Sequence, residues 1–513
     1  MRHLRIQVTW KQCLVWSLLV VGCLGGGSRA LAQQVRLQEV IRAALSDNPS
    51  LHIQQDGVRV YEGAWQTLLG QFDPAVTVAL AGNRDHTPLL TTGEFSNVRT
   101  DASTYSLGLQ KQFRSGLIIT PSVQMVRQDG LTGGTLNNAE VGVQLRMPLL
   151  RDRGVRANAA GERAAYHTYE ASRLDLNETR AVVVLQAALA YWSYLAAWRT
   201  LAAYSESEAR AQTLLNETKV LIEAEEQPAA DLKQLEANLA AKTAQRIAAE
   251  QRLFETGQQL GLIMGMPFEQ MRTLDQPTDV FPEADDQLLD EIVLAEGYID
   301  LARRRRSDLA AAQRREEAAE VLLRAARNDL KPHLDLTLDV GYAGLDAGTA
   351  FEQYLTPFGS HVGGVNVGAT LSYSLPVGNR TAQGGVAQQA SLYRQQTTLT
   401  HDLDRVIHSS VLVALKALER SIYELKSADA AVALYRTAVD NEKKKFQMGL
   451  ATLIDVINVE DRLTDVILSH IAGQQRYANA LVQIRYETGT LIYPNEEVVS
   501  PQRLTTVPGK DVP

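Results

Sequence analysis

The chain has 513 residues, a formal charge of −8, and only 9 Phe and 5 Trp. That length admits two or three ordinary domains, but so few large aromatics are thin for several globular cores and suit elongated helices packed through Leu, Ala and Val. The acidic balance disfavours nucleic acid as a partner, and beyond the N-terminus no run of eighteen uninterrupted apolar residues reads as a transmembrane helix.

The first segment reads as a targeting signal. Arg2, Arg5 and Lys11 form a basic start, Leu14 to Leu24 an apolar core, and Ala30-Leu31-Ala32 a small-x-small cleavage site. The signal peptide is therefore placed at 1–32, its apolar core being too short to span a bilayer. Val20-Val21-Gly22-Cys23 also fits a lipobox, which would lipidate Cys23 instead of cleavage after Ala32. Cys13 and Cys23 both lie in this segment, so a chain cleaved after Ala32 has no thiol chemistry.

Beyond the signal segment the chain is duplicated. Leu37 to Leu51 predicts a helix bent at Pro49, and a degraded copy runs from Ala295 to Leu309, matching Ile41 with Ile299, Ala44 with Ala302 and Leu51 with Leu309. The offset is 258 residues, and it recurs between Pro74 and Pro332, each of which opens a run of period two. In the first copy Val76, Val78 and Leu80 alternate with small residues. A polar stretch, Asn83 to Ser103, comes next. Tyr105, Leu107 and Leu109 then alternate, and later Val141, Val143, Leu145 and Met147. In the second copy the strands are Leu334 to Tyr342 and Val365 to Leu375. Segments of about ten residues with one apolar face have the length and dyad of transmembrane β-strands. Additional strand-like sequence at 117–125 has no equivalent in the second copy; it fits either an extra membrane hairpin or a loop elaboration.

Each copy continues into helix. Val155 to Glu223 contains no proline and one glycine, and Arg380 to Met448 is the same length. The second carries a heptad seam of Val411, Leu415, Leu418, Ile422, Leu425, Val432, Tyr435 and Val439. The resulting organisation is a signal peptide (1–32), repeat 1 (33–272), a Pro-containing linker (273–284), repeat 2 (285–493) and a mobile C-terminal tail (494–513). The fold class is mainly α with transmembrane β. A membrane sheet must close so that its backbone groups are paired, and closed barrels start at about eight strands. The four best strands of one chain therefore require several chains to share one membrane barrel, which the long coiled-coil hairpins of each chain extend as a tube on one side of the membrane.

The order of these motifs resembles the TolC family of outer-membrane efflux and secretion channels. It rests on the Leu37–Leu51 opening, the strand ends Met147-Pro148-Leu149-Leu150 and Ser374-Leu375-Pro376-Val377, and the second tip, Phe446 to Ile457. The resemblance implies a homotrimer with a twelve-stranded barrel in the outer membrane, continued by a periplasmic α-helical barrel, and an entrance closed at rest by the inner helical hairpins. It implies a periplasmic adaptor (membrane fusion) protein and an inner-membrane transporter as partners, with outer membrane lipid around the barrel. It also implies an exit duct for a tripartite efflux or type I secretion system, and no enzyme or cofactor. A structural periplasmic coiled coil, or an adaptor protein, is the alternative reading.

The candidate residues lie at the helical tips, Gln227-Pro228-Ala229-Ala230-Asp231 and Gly449 to Asp455. Repeated around an axis, Asp455 would form an acidic ring favouring cations; a carboxylate that serves only a helix start is the simpler role. The next acid expected from the resemblance is Asn458 here. A tyrosine and an arginine that it implies as entrance links are Phe446 and Ala451, so Asp231, which matches the arginine's partner, has lost it. Arg303 to Arg306 reads as a solvated helix end.

Overall fold

The computed structural model describes residues 35–508, except 92–93, 132–133, 224–229, 273, 286–287, 290–294, 360–361, 494–495, 497–498 and 500. The predicted signal peptide with Cys23, and Gln227-Pro228-Ala229 of the first tip, lie outside the described residues. In chain order the elements are α1 (Leu37–Asp47), α2 (Pro49–Gly70), β1 (Ala75–Thr91), β2 (Glu94–Gln112), β3 (Ile118–Leu131), β4 (Gly134–Pro148), α3 (Val155–Asn158), α4 (Ala160–Glu223), α5 (Ala230–Ile263), α6 (Phe268–Met271), α7 (Ala295–Arg305), α8 (Ser307–Asn328), β5 (His333–Ala347), β6 (Gly363–Ser374), α9 (Arg380–Gln447), α10 (Leu453–Glu487) and α11 (Pro501–Thr505).

The duplication is physical. Ile41, Ala44 and Leu51 are buried in one core, and their counterparts Ile299, Ala302 and Leu309 in another. The bend at Pro49 is a break between α1 and α2. Asn48 fills it, accepting from Ser50 N and donating from Nδ2 to Ile263 O, both at 2.9 Å. The second copy breaks between α7 and α8 at Arg306, 258 residues after Asn48. Each break receives the end of a hairpin helix through a left-handed glycine. Gly265, φ +70°, sits against Asp47, and Gly489, φ +66°, against Arg305. A side chain at either position would collide with that backbone, and only glycine adopts this φ without strain.

The strands form one antiparallel sheet in the order β1-β2-β3-β4-β5-β6. The described residues of one chain thus supply six strands, not the four expected. The polar stretch at 83–103 is not a connection: it forms the upper part of β1 and β2. Segment 117–125 belongs to β3. The register carries a single apolar row across all six strands, Val78↔Leu107↔Val123↔Val141↔Tyr342↔Val365. The adjacent row on the other face is small and polar: Thr77↔Gly108↔Ser122↔Gly142↔Gly341↔Asn366. Successive residues point to opposite faces, so the sheet has one oily side, exposed at Val76, Val78, Val340, Val365 and Val367. The other side is lined by hydroxyls, amides and bare backbone.

The lower turn between β2 and β3 is fixed to the helices below it. Arg114 pairs with Glu162 of α4 through two bonds, at 2.7 and 3.0 Å, and lies over the Phe72 ring. Gly116, φ +93°, is packed against Asp152, Pro148 and Asn158.

The helices make a wall four wide. Above the breaks the neighbours run α2, α4, α8, α9; below them, α5, α4, α10, α9. Only α4, with 64 residues, and α9, with 68, run the whole way from sheet to tip, each about 100 Å long at ~1.5 Å per residue. The returning helices α5 and α10, with 34 and 35 residues, stop halfway.

The linker and the tail are both anchored. Asp279 accepts from Leu37 N and from the Tyr191 hydroxyl, each at 2.7 Å. The expectation of a mobile tail is overturned for its described part, where Val499, Leu504 and Val507 are buried. Arg485, fully buried, donates to Thr506 O, Thr506 Oγ1 and Val507 O. Three separated apolar side chains and one cation hold it, a pattern without the periodicity that marks an element.

Candidate functional site at the helical tips

The second tip is built by local rules. Gly449, φ +74°, closes α9: its N–H donates to Phe446 O and that of Leu450 reaches back to Lys445 O. Thr452 then caps α10. Its Oγ1 accepts from Asp455 N at 3.3 Å, and Asp455 Oδ2 accepts from Thr452 N at 3.0 Å and Thr452 Oγ1 at 2.6 Å. This reciprocal capping box holds the Asp455 carboxyl below its ordinary pKa, the Thr452 hydroxyl being the main cause.

Asp455 and Asn458 are exposed, Ala451 half-buried, and Phe446 half-buried against a cluster of Leu214, Leu235, Leu453 and Val456. The second tip is thereby seated on the first hairpin. Asp231 is half-buried in the first turn of α5. Among the described residues it has no ion pair.

A polar cluster one to three turns above the tips joins the two hairpins instead. Lys242 of α5 meets Asp461 of α10 at 2.6 Å. Lys443 of α9 meets Glu460 at 2.7 Å, and Arg210 of α4 approaches the same carboxylate at 4.0 Å. Arg210 also donates to Thr464 Oγ1, which donates to Ser207 Oγ at 3.1 Å. Lys242, Glu460, Thr464 and Ser207 are all buried. Sequence reasoning missed this cluster because its members sit on four helices and each alone looks like a solvated charge. The Ser207/Arg210 and Glu460/Thr464 spacings, which put polar groups on apolar-facing positions, were the available signal.

Of the basic run, Arg303 pairs with Asp404 as a surface contact. Arg306 is not solvated: it is buried between Asp308 and Glu487, at 2.7 and 2.6 Å. Among the described residues no group of His, Cys, Asp or Glu is arranged to hold a metal ion.

Residues 298–490 match the family model described as outer membrane efflux protein. The chain is 23% identical over 317 residues to the outer membrane protein TolC of Vibrio cholerae, covering 61% of this chain and 69% of that one. Its fold is similar to that of the outer membrane protein VceC of Vibrio cholerae, with a TM-score of 0.65 and 16% identity over 88% of this chain and 96% of that one. It is also similar to the CmeC outer membrane channel of Campylobacter jejuni, with a TM-score of 0.64 and 16% identity over 88% and 85% of the two chains.

Proposed function

We propose that this chain, residues 298–490 of which match the outer membrane efflux protein model, is the outer-membrane exit duct of a tripartite export system. Three copies close one β-barrel, and their helices continue it as a tunnel towards a periplasmic adaptor and an inner-membrane transporter. The observation that carries this reading is the sheet: six strands, one oily face, one polar face, and two outer strands, β1 and β6, each paired on one side and, among the described residues, open on the other. An unpaired strand edge cannot stay within lipid. Because the strand number is even, β6 of one copy meets β1 of the next in the antiparallel sense.

The expectation of twelve strands becomes eighteen. Six strands about 4.8 Å apart, tilted by about 40°, span about 38 Å of circumference. Four helices at 8–10 Å spacing span about 32–40 Å. Four strands would span only about 25 Å by the same estimate. The extra hairpin thus matches the width of the sheet to that of the helical wall. The backbone diameter is then about 36 Å for eighteen strands, against about 24 Å for twelve.

The entrance lies at the tips, where Asp455 supplies one carboxylate per copy. The polar cluster of Lys242, Asp461, Lys443, Glu460 and Arg210 keeps the second hairpin against the first. Native mass spectrometry of the detergent-extracted protein tests the reading and should give three copies. A stable monomer with a closed barrel would defeat it.

A further inference from the structure

At the foot of the sheet a cavity of about 370 Å³ opens between α4 and α8, where β4 leads into one and the other leads into β5. Six of its nine lining residues are cations, Arg153, Arg156, Arg163, Arg324, Arg327 and Lys331, and none is an acid. Arg324 donates to Glu320 one turn back, and Arg153 donates to Leu149 O at 3.5 Å. The other four have no ion pair among the described residues. The cavity's single amide, Asn328, leaves its Nδ2 buried without an acceptor. Apart from the Asn328 amide oxygen, every polar side-chain group lining the cavity is a donor, and two of the six cations have a partner.

The fold does not demand this charge. At the 258-residue offset Arg324, Arg327 and Lys331 correspond to Gln66 and Leu69 on α2 and to Asp73 just past its end, with no cation among them. All six cations are exposed, and like charges crowded round one hollow repel one another, so an entering anion would relieve that repulsion. Guanidinium forks match phosphate oxygens in charge and geometry.

We propose that this cavity binds a phosphate-bearing anion, and that its source is the headgroup of an anionic phospholipid in the periplasmic leaflet. Height favours that source. Met147, Leu150 and Leu338 are exposed on the lower apolar band, and Arg153 and Lys331 lie within a few residues of the strand ends. Basic pockets at that depth are where lipid phosphates lie. The assignment of the lipid source rests on the membrane reading of the sheet; the anion site does not. The cavity is between two helices in the middle of the wall, so a second copy packed at β1 or β6 would leave it open.

The test uses the full-length protein in neutral detergent, titrated separately with phosphatidylglycerol, phosphatidylcholine and inorganic phosphate and followed by native mass spectrometry. The probe is Arg324→Gln/Arg327→Gln, both exposed side chains, with Arg59→Gln, an exposed cation elsewhere, as control. The double variant should bind phosphatidylglycerol about thirtyfold more weakly than wild type at two cations lost, while phosphatidylcholine binding stays unchanged. Phosphate binding lost in the double variant without any lipid preference would keep the anion site and assign it a soluble source. Equal binding of both anions by wild type and double variant would overturn the proposal. The same spectra report the number of copies, so a failed anion site and a failed trimer are seen separately.

Discussion

Arg306 keeps its charge in a buried place because three groups require it. Its Nη1 donates to Glu487 at 2.6 Å, its Nε and Nη2 to Asp308 at 3.0 and 2.7 Å, and it stacks over the Tyr486 ring. Burial pushes its pKa down, but the carboxylates outweigh burial and the net direction is up. Glu178 accepts from the Tyr486 hydroxyl at 2.8 Å, and burial, helped by Asp308, holds it above the ordinary range. Arg306→Ala leaves these acids around a hole, and the expected loss is about 3–5 kcal/mol. Because the folded pKa of Glu178 is raised, the folded state takes up its proton first. Stability linked to Glu178 therefore increases as pH falls through that raised value and is lost as pH rises. The deficit of Arg306→Ala in thermal unfolding should shrink as pH falls from neutrality through the raised Glu178 value; a deficit that grows would contradict this cluster. At Asp455 the charge and the cap are separable. Asp455→Asn keeps an acceptor for the Thr452 N–H and removes the charge, so it should lower cation over anion preference in planar-bilayer recordings with the melting point nearly unchanged. Unchanged selectivity would leave Asp455 as a cap alone.

Among the elements, the tail and the β2–β3 hairpin are the clearest tests. Truncation from Glu497 removes Val499, Leu504 and Val507 from two cores and strips three acceptors from buried Arg485. A loss of at least about 3 kcal/mol is expected, from the apolar burial and the stranded donor together. Unfolding of the truncated protein at the wild-type temperature would show that the tail is dispensable. For the hairpin, spin labels at Val123→Cys and Ser122→Cys should report lipid and water respectively, matching labels at Val141 and Gly142. Water at both would put β3 outside the membrane wall. The duplication, the break at Pro49 and the seam of α9 were legible in the sequence because periods of 3.5 and 2 survive in it. The upper parts of β1 and β2 were not. Beyond the oily band both faces of a strand meet water, and partners such as Arg84 and Asp101, bonded at 2.6 Å across the ribbon, leave no alternation to read. The tip residues were legible as a place. The polar cluster above them was not, since which charges of separate helices meet is decided by packing.

For the whole molecule, the strand count is the decisive measurement. A density map of the detergent-extracted protein should show eighteen strands around one axis, with β2 and β3 in the wall; twelve would return the hairpin to a loop. In the proposed duct, passage would depend on how firmly the two hairpins are held together. Lys242→Ala removes the partner of Asp461 and loosens the seat of α10 on α5, so mean single-channel conductance should rise. Equal conductance would move the closure to other contacts.

α4 and α9 run without a break past the level at which Asn48 and Arg306 interrupt their neighbours. A rod of that length has no hinge to flip between two positions; it bends and untwists along its whole extent. Displacing the tips would load α4 and α9 like springs anchored at the sheet, and the displacement would be undone by elastic recoil when the pull ceases. If the tips form the proposed entrance, it would need a partner to hold it open and none to shut it.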